Sequence, residues 1–275
     1  MSITKLKRND VALIGILSDG NSSYKKGPAI APEVIRRALH CESSNYCSEL
    51  GVELANNPSF IDVGDREVAH GRENFLAIEA EIDQILERGA LPLILGGDHA
   101  ISYPVIRAIN RTHGQVNILH FDAHPDLYDN FENNPYSHAS PFARIMENEL
   151  ASRLVQVGIR TLNQHQREQA QRFDVEIHEM KTLDTRSIGQ DFDGPVYISC
   201  DMDALDPAFA PGVSHHEPGG MSVREILGIV QRLPNRIIGA DIVEYNPSRD
   251  INDMTAMVAA KLLKEFAGKM LLNRV

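Results

Sequence analysis

A chain of 275 residues, 43% hydrophobic and 24% charged, has the composition of an ordinary folded protein, which excludes a disordered tail or a fibrous repeat. Its 38 acidic residues outnumber 27 basic ones for a net charge of −11, and no Lys/Arg stripe occurs, so neither nucleic acid nor an anionic membrane is an expected partner. A small cationic substrate suits that balance. No apolar run reaches the ~18 residues of a membrane span, and MSITKLKRND lacks the apolar centre of a signal peptide. Cys41, Cys47 and Cys200 are too scattered for a disulfide framework and read as reduced thiols in a cytoplasm.

In chain order, Val11–Ile16 is the first predicted strand and Ile61–Val63 a short second one. Arg72–Arg88 reads as a helix, because Phe75, Ile78, Ile82, Ile85 and Leu86 recur at three- and four-residue steps. Gly89, which tolerates positive φ, stops it. Strands follow at Leu91–Leu95, Val116–Phe121, Leu154–Ile159 and Val196–Cys200. Ser222 and Glu225 form a capping box ahead of Ile226, Leu227 and Val230. Ile237–Val243 is the last strand, and Met254–Leu272 a long final helix with Met257, Val258, Leu262, Leu263 and Phe266 on its apolar side. The strands are continuous apolar runs, as in a parallel sheet covered on both faces. Strand–helix alternation without a linker predicts one α/β domain over residues 1–275. Tyr128–Pro141 and Ala204–Gly220 are long polar loops of the kind that carry function.

Three strands end in metal-ligand residue types. GGDH places His99 after the third apolar run, DAHPD places Asp122, His124 and Asp126 after the fourth, and DMD places Asp201 and Asp203 after VYISC. Ligands of open parallel sheets bind at such carboxyl ends. Residues two apart in extended chain share a side, so these groups are able to converge. Two imidazoles and four carboxylates carry more negative charge than can be buried without cations. They also exceed the three or four protein ligands of a single zinc site, and suit two divalent ions. The oxygen-rich set favours Mn²⁺ over Zn²⁺.

GGDHAIS, HFDAHPDLYD and SCDMDALDPAFAPG resemble the three signature blocks of the ureohydrolase family, the arginases, agmatinases and other guanidino hydrolases. YSHASPFARI, LVQVGIR, PGVSHHEPGG and GADIVEYNPSRD resemble the plant-type arginases and their bacterial relatives in particular. The resemblance implies a three-layer α/β/α fold around a mostly parallel eight-stranded sheet, a Mn²⁺ pair, and a trimer or hexamer of identical chains. It implies His99, Asp122, His124, Asp126, Asp201 and Asp203 as metal ligands, Asp122 and Asp203 as bridges, and Asp126 as the residue that also orients the shared hydroxide. His138 matches the proton-transfer histidine and Glu244 the carboxylate that holds the guanidinium.

The implied reaction is hydrolysis of a guanidino compound to urea and an amine, with L-arginine as first substrate and agmatine or another guanidino acid as the alternative. Two ions acidify a shared water, Glu244 orients the planar cation, and His138 protonates the leaving nitrogen. A non-catalytic metal-binding relative and a single-zinc deacetylase are the rival readings; no ligand type is lost, and the duplicated carboxylates suit two ions. His215 either touches substrate or packs its loop, and Tyr128 and Asn163 stand where animal-type arginases carry Asn and Asp at the substrate rim. His120 is read as a core or interface imidazole before an outer partner of the metal shell. His40, His70, His113, His165 and His178 are read as surface residues, and Cys200 as a small buried strand residue.

Overall fold

The structure, a computed structural model, describes residues 3–68 and 72–272; His70 lies outside them. In chain order it forms β1 (Val11–Leu17), α1 (Ala31–Leu39), β2 (Phe60–Glu67), α2 (Arg72–Glu87), β3 (Leu91–Leu95), α3 (Ser102–His113), β4 (Val116–Phe121), α4 (Pro141–Glu147), β5 (Ala151–Ile159), α5 (Gln164–Arg172), β6 (Glu176–Glu179), β7 (Val196–Asp201), α6 (Val223–Arg232), β8 (Ile237–Val243) and α7 (Met254–Leu272). The eight strands make one sheet in the order β2-β1-β3-β8-β7-β4-β5-β6. Every pairing is parallel, so the mostly parallel sheet expected from sequence is wholly so. Helices pack in two groups, α1–α7–α6 and α2–α3–α4, around it. β3, β4, β7 and β8 are buried along their whole length, which is why they read as unbroken apolar runs. Among the described residues no helix is long and apolar enough to cross a membrane.

Local signals act where expected. Gly89 has φ 69° and its N–H closes on the Leu86 carbonyl at 2.8 Å, ending α2. Ser222 Oγ accepts from Glu225 N at 3.2 Å while Ser222 N donates to the Glu225 carboxylate at 2.7 Å, starting α6. α1, α3 and α4 were not among the elements predicted from sequence, and neither were two that carry no apolar period. β6, sequence EIHE, is a half-buried edge strand. α5, sequence QHQREQAQR, buries glutamines: Gln166 accepts from Leu127 N at 3.3 Å and Gln169 donates to Leu127 O at 3.2 Å. Both backbone groups of one loop residue therefore find side-chain partners, and this docks the helix against the second ligand block.

Candidate metal centre

The four central strands, β3, β8, β7 and β4, are neighbours in space although distant in sequence. Their carboxyl ends bring together His99, Glu244, the Asp201/Asp203 pair and the Asp122/His124/Asp126 block. Close packing shapes the first of these turns: a Cβ on Gly97 would lie 1.5 Å from the Ser18 carbonyl oxygen. Asp126 and Glu244 both hold left-handed backbone, with φ 51° and 62°. Non-glycine residues in that region concentrate at functional sites.

The six predicted ligands converge. His99 Nδ1 lies 3.2 Å from Asp122 Oδ2, 3.1 Å from Asp126 Oδ2 and 3.2 Å from Asp201 Oδ2. His124 Nδ1 lies 3.4 Å from Asp122 Oδ1 and 3.1 Å from Asp203 Oδ2. The two oxygens of Asp122 thus face two different clusters. Asp122 Oδ1 accepts from His124 N at 2.6 Å, Asp201 Oδ1 from Asp203 N at 2.7 Å, and Asp203 Oδ1 from Ala123 N at 3.2 Å. These amides hold the carboxylates in place.

The donor set fits divalent cations. His99 Nδ1 is buried and makes no hydrogen bond, although three carboxylate oxygens surround it. One N–H cannot serve three acceptors; a lone pair shared with them on a cation can. Burial opposes charge on His99 and His124, yet the facing carboxylates hold both well above the usual histidine range. Burial and the neighbouring Asp203 and Asp122 push Asp201 far up, and burial and Asp122 push Asp126 to about 6. Burial acts likewise on Asp122, but His120, His124 and His99 outweigh it and hold this carboxyl well below its usual range. So dense a cluster needs positive charge.

One layer below the ligands a row of polar side chains crosses the sheet. Gln156, His120, Ser199 and Asp241 are register neighbours on β5, β4, β7 and β8. All four are fully buried. Gln156 Nε2 donates to His120 Nδ1 at 3.0 Å, and His120 Nε2 donates to Asp122 Oδ2 at 2.8 Å. His120 also stacks on Phe142, centroids 3.9 Å apart. This corrects the expectation of a plain core or interface imidazole: His120 is a core residue that grips the Asp122 carboxylate. The signal was its position, two residues before Asp122 on an otherwise apolar strand, which puts both side chains on one face. Ser199 stands likewise before Asp201 and escaped notice.

A cavity of about 220 Å³ opens above the cluster, lined by Asp126, Asp201, Asp203, Glu244, His138 and His215 among others. Glu244 Oε1 accepts from His99 N at 2.9 Å and from His138 Nδ1 at 2.8 Å. Ser23 Oγ lies 2.9 Å from His138 Nε2, and His138 N donates to the Asn21 carbonyl at 3.2 Å. Burial lowers the His138 pKa, but Glu244 overrides it and takes it to about 9. His215 sits on the wall, its ring 5.3 Å from that of His138 and 6.0 Å from that of His124. Burial and His138 keep it below the usual histidine range.

At the rim, Tyr128 and Gln166 line the cavity and Asn163 stands one step behind. Asn163 caps α5, accepting from Gln166 N at 3.0 Å, and its Nδ2 donates to Tyr128 Oη at 2.6 Å. His165 stacks on the Tyr128 ring, centroids 5.5 Å apart. Sequence reasoning missed Ser23, Gln166 and Arg160. Arg160 donates to the carbonyls of Asp203 at 2.7 Å, Ala204 at 3.2 Å and Glu217 at 2.9 Å, tying the Ala204–Gly220 loop to the ligand strand.

The model of the arginase family matches residues 9–268. The mitochondrial arginase 1 of Arabidopsis thaliana is 50% identical over 276 residues, spanning 94% of this chain and 80% of that protein. The arginase of Medicago truncatula superposes with a TM-score of 0.89 at 46% identity, covering 94% of this chain and 87% of that one. The agmatinase of Bacillus subtilis is 33% identical, covering 93% of this chain and 90% of that protein.

Proposed function

This chain belongs to the arginase family, and we propose that it is a binuclear manganese hydrolase cleaving L-arginine to L-ornithine and urea. The observation that carries the chemistry is His99 Nδ1, buried without a hydrogen bond amid three carboxylates, at the foot of a cavity that also holds Glu244. His99, Asp122, Asp126 and Asp201 would hold one ion, and Asp122, His124 and Asp203 the other; Asp203, expected as a second bridge, would serve one ion, since its Oδ2 faces His124 and its Oδ1 accepts from Ala123 N. The oxygen-rich donor set supports manganese. Bound cations supply a nucleophile from water at neutral pH.

The chain's own groups do the rest. Glu244 has Oε1 engaged by His99 N and His138, leaving Oε2 for the guanidinium. That ion pair fixes the planar cation and presents its central carbon to the floor of the cavity. Asp126 orients the attacking water. The bond from that carbon to the substituted nitrogen breaks, and His138 holds the proton which that nitrogen needs to depart as an amine.

Arginine and agmatine share guanidinium and chain and differ in one carboxylate, so the rim residues Tyr128, Asn163 and Gln166 decide between them. His215 borders the chain of the substrate. The greater identity to plant arginases than to the bacterial agmatinase supports arginine. The test is urea release from both. We expect kcat/KM for L-arginine to exceed that for agmatine by at least about tenfold, ~1.4 kcal/mol of transition-state binding. Equal or better use of agmatine overturns the substrate and leaves ureohydrolase chemistry standing.

One sheet running from Val11 to Val243 supports a single domain over 1–275. Free Cys41, Cys47 and Cys200 support a reducing compartment, the cytoplasm in our reading, although the Arabidopsis relative is named mitochondrial. The family resemblance supports a trimer or hexamer, which light scattering would count.

A further inference from the structure

We propose that Ser199 and Asp241 act as positioning residues that commit the Nε2 proton of His99 and so keep its Nδ1 lone pair for a cation. The proposal rests on the metal reading above.

Counting protons along the network leads to it. The Asp241 carboxylate is fully buried between β7, β8 and the start of α3. Tyr197 Oη donates to its Oδ2 at 2.7 Å, Ser102 Oγ to the same oxygen at 2.8 Å, and Ser199 Oγ to Oδ1 at 2.7 Å. Three hydroxyls thus donate to one buried carboxyl. A serine hydroxyl has one proton. With that proton on Asp241, Ser199 Oγ is only an acceptor towards His99 Nε2, 2.9 Å away. The Nε2 atom must then be the donor. In the neutral imidazole that a cation would bind, this is the one N–H, so Nδ1 keeps its lone pair. The side of the ring facing Asp122, Asp126 and Asp201 is the side without a hydrogen bond.

The register builds this arrangement into the sheet. Ser199 is the cross-strand partner of Asp241 on one side and of His120 on the other. His99 reaches the row from the turn after β3, and its orientation depends on Ser199 and on the edge of Phe142, centroid 5.3 Å away. Such outer partners of metal ligands are commonly worth about 10–100-fold in metal affinity.

The test is a calorimetric Mn²⁺ titration of the metal-stripped full chain and of Ser199→Ala, Ser199→Thr and Asp241→Asn. The parent should take up two ions; a parent that binds none sinks the metal reading itself. With two ions in the parent, Ser199→Ala should weaken one of the two binding steps by about 10–100-fold and leave the other, at the His124 side, within about threefold. Ser199→Thr, which keeps the hydroxyl, should restore the weakened step, and Asp241→Asn should reproduce the loss in part. Unchanged affinity for both ions in Ser199→Ala overturns the proposal, as does Ser199→Thr remaining as weak as Ser199→Ala. A second readout does not depend on a variant folding. In the diamagnetic Zn²⁺-loaded parent with ¹⁵N-labelled histidine, His99 should show a slowly exchanging ring proton on Nε2 and a metal-shifted Nδ1. A parent whose Nε2 carries no proton overturns the assignment.

Discussion

The floor of the cavity and its rim are held by different kinds of contact. On the floor, Asp122 is fully buried and held by His120 Nε2 and His124 N, and the row from Gln156 to Asp241 lies beneath it in strand register. At the rim, Asn163 is exposed, and a single 2.6 Å hydrogen bond connects it to Tyr128. The Gln166 side chain accepts one 3.3 Å hydrogen bond, from Leu127 N. Losing a floor contact strands buried charge, whereas a rim contact is replaced by water. This difference predicts that reaction type and substrate choice are separable in this protein, with changes at the rim leaving the floor intact.

The largest effect should come from the residue that serves both halves of the floor. Asp122→Asn should abolish urea release and leave fewer than two ions per chain by elemental analysis, because its two oxygens face the two clusters. Retention of two tightly held ions would show that Asp122 does not span them. Next comes His138, whose Nδ1 donates to Glu244 on the floor. His138→Ala should lower kcat by about 10²–10⁴-fold with both ions retained. Loss of an ion would make it a ligand instead.

The same residue sets a pH limit. Its pKa, raised to about 9 by Glu244 against the opposing effect of burial, lies above the ordinary histidine value of 6.5. A raised folded-state pKa means that the pair stabilises fully below about pH 6.5 and that this contribution disappears as pH rises through about 9. The melting-temperature gap between parent and His138→Asn should therefore shrink between pH 6 and 10, and the parent's kcat should fall above about pH 9. A gap that widens with pH would reverse the assignment of charge on this pair.

Glu244→Gln should cost about 2–5 kcal/mol in kcat/KM, since it removes the anionic partner of a desolvated cation, while metal content stays at the parent level. The smallest effect belongs to the rim. Asn163→Ala should narrow the preference between arginine and agmatine through the freed Tyr128 hydroxyl, and lower stability by about 1 kcal/mol through the lost cap of α5. An unchanged ratio of kcat/KM values would place discrimination elsewhere, with Gln166 the next residue to vary.

Buried strands, helix stops and ligand types were all legible from residue order. Continuous apolar runs mark strands covered on both faces, Gly89 and the Ser222/Glu225 box mark helix ends, and an Asp-x-His-x-Asp after such a run marks a potential ligand cluster. These signals are local, and chemistry set by neighbours in sequence survives without knowledge of the fold. The placement of His138 and Glu244 beside the predicted ligands was not local in this sense and rested on resemblance to a family with those blocks.

The tertiary structure alone decided which strands stand side by side, and much follows from that. The order β3-β8-β7-β4 joins residues as far apart as His99 and Glu244, and no spacing along the chain encodes it. Strand register then set Gln156, His120, Ser199 and Asp241, isolated polar residues in apolar runs, side by side as two hydrogen-bonded pairs, Gln156 with His120 and Ser199 with Asp241. α5 has no apolar period because it docks through glutamine amides onto the backbone of Leu127, and β6 none because it is a sheet edge. Residue order determines the chemistry and the buried faces available to each segment, since those depend on side chains a few positions apart. Which buried polar group answers which depends on atoms meeting within about 3 Å across strands, a distance that only the folded sheet defines.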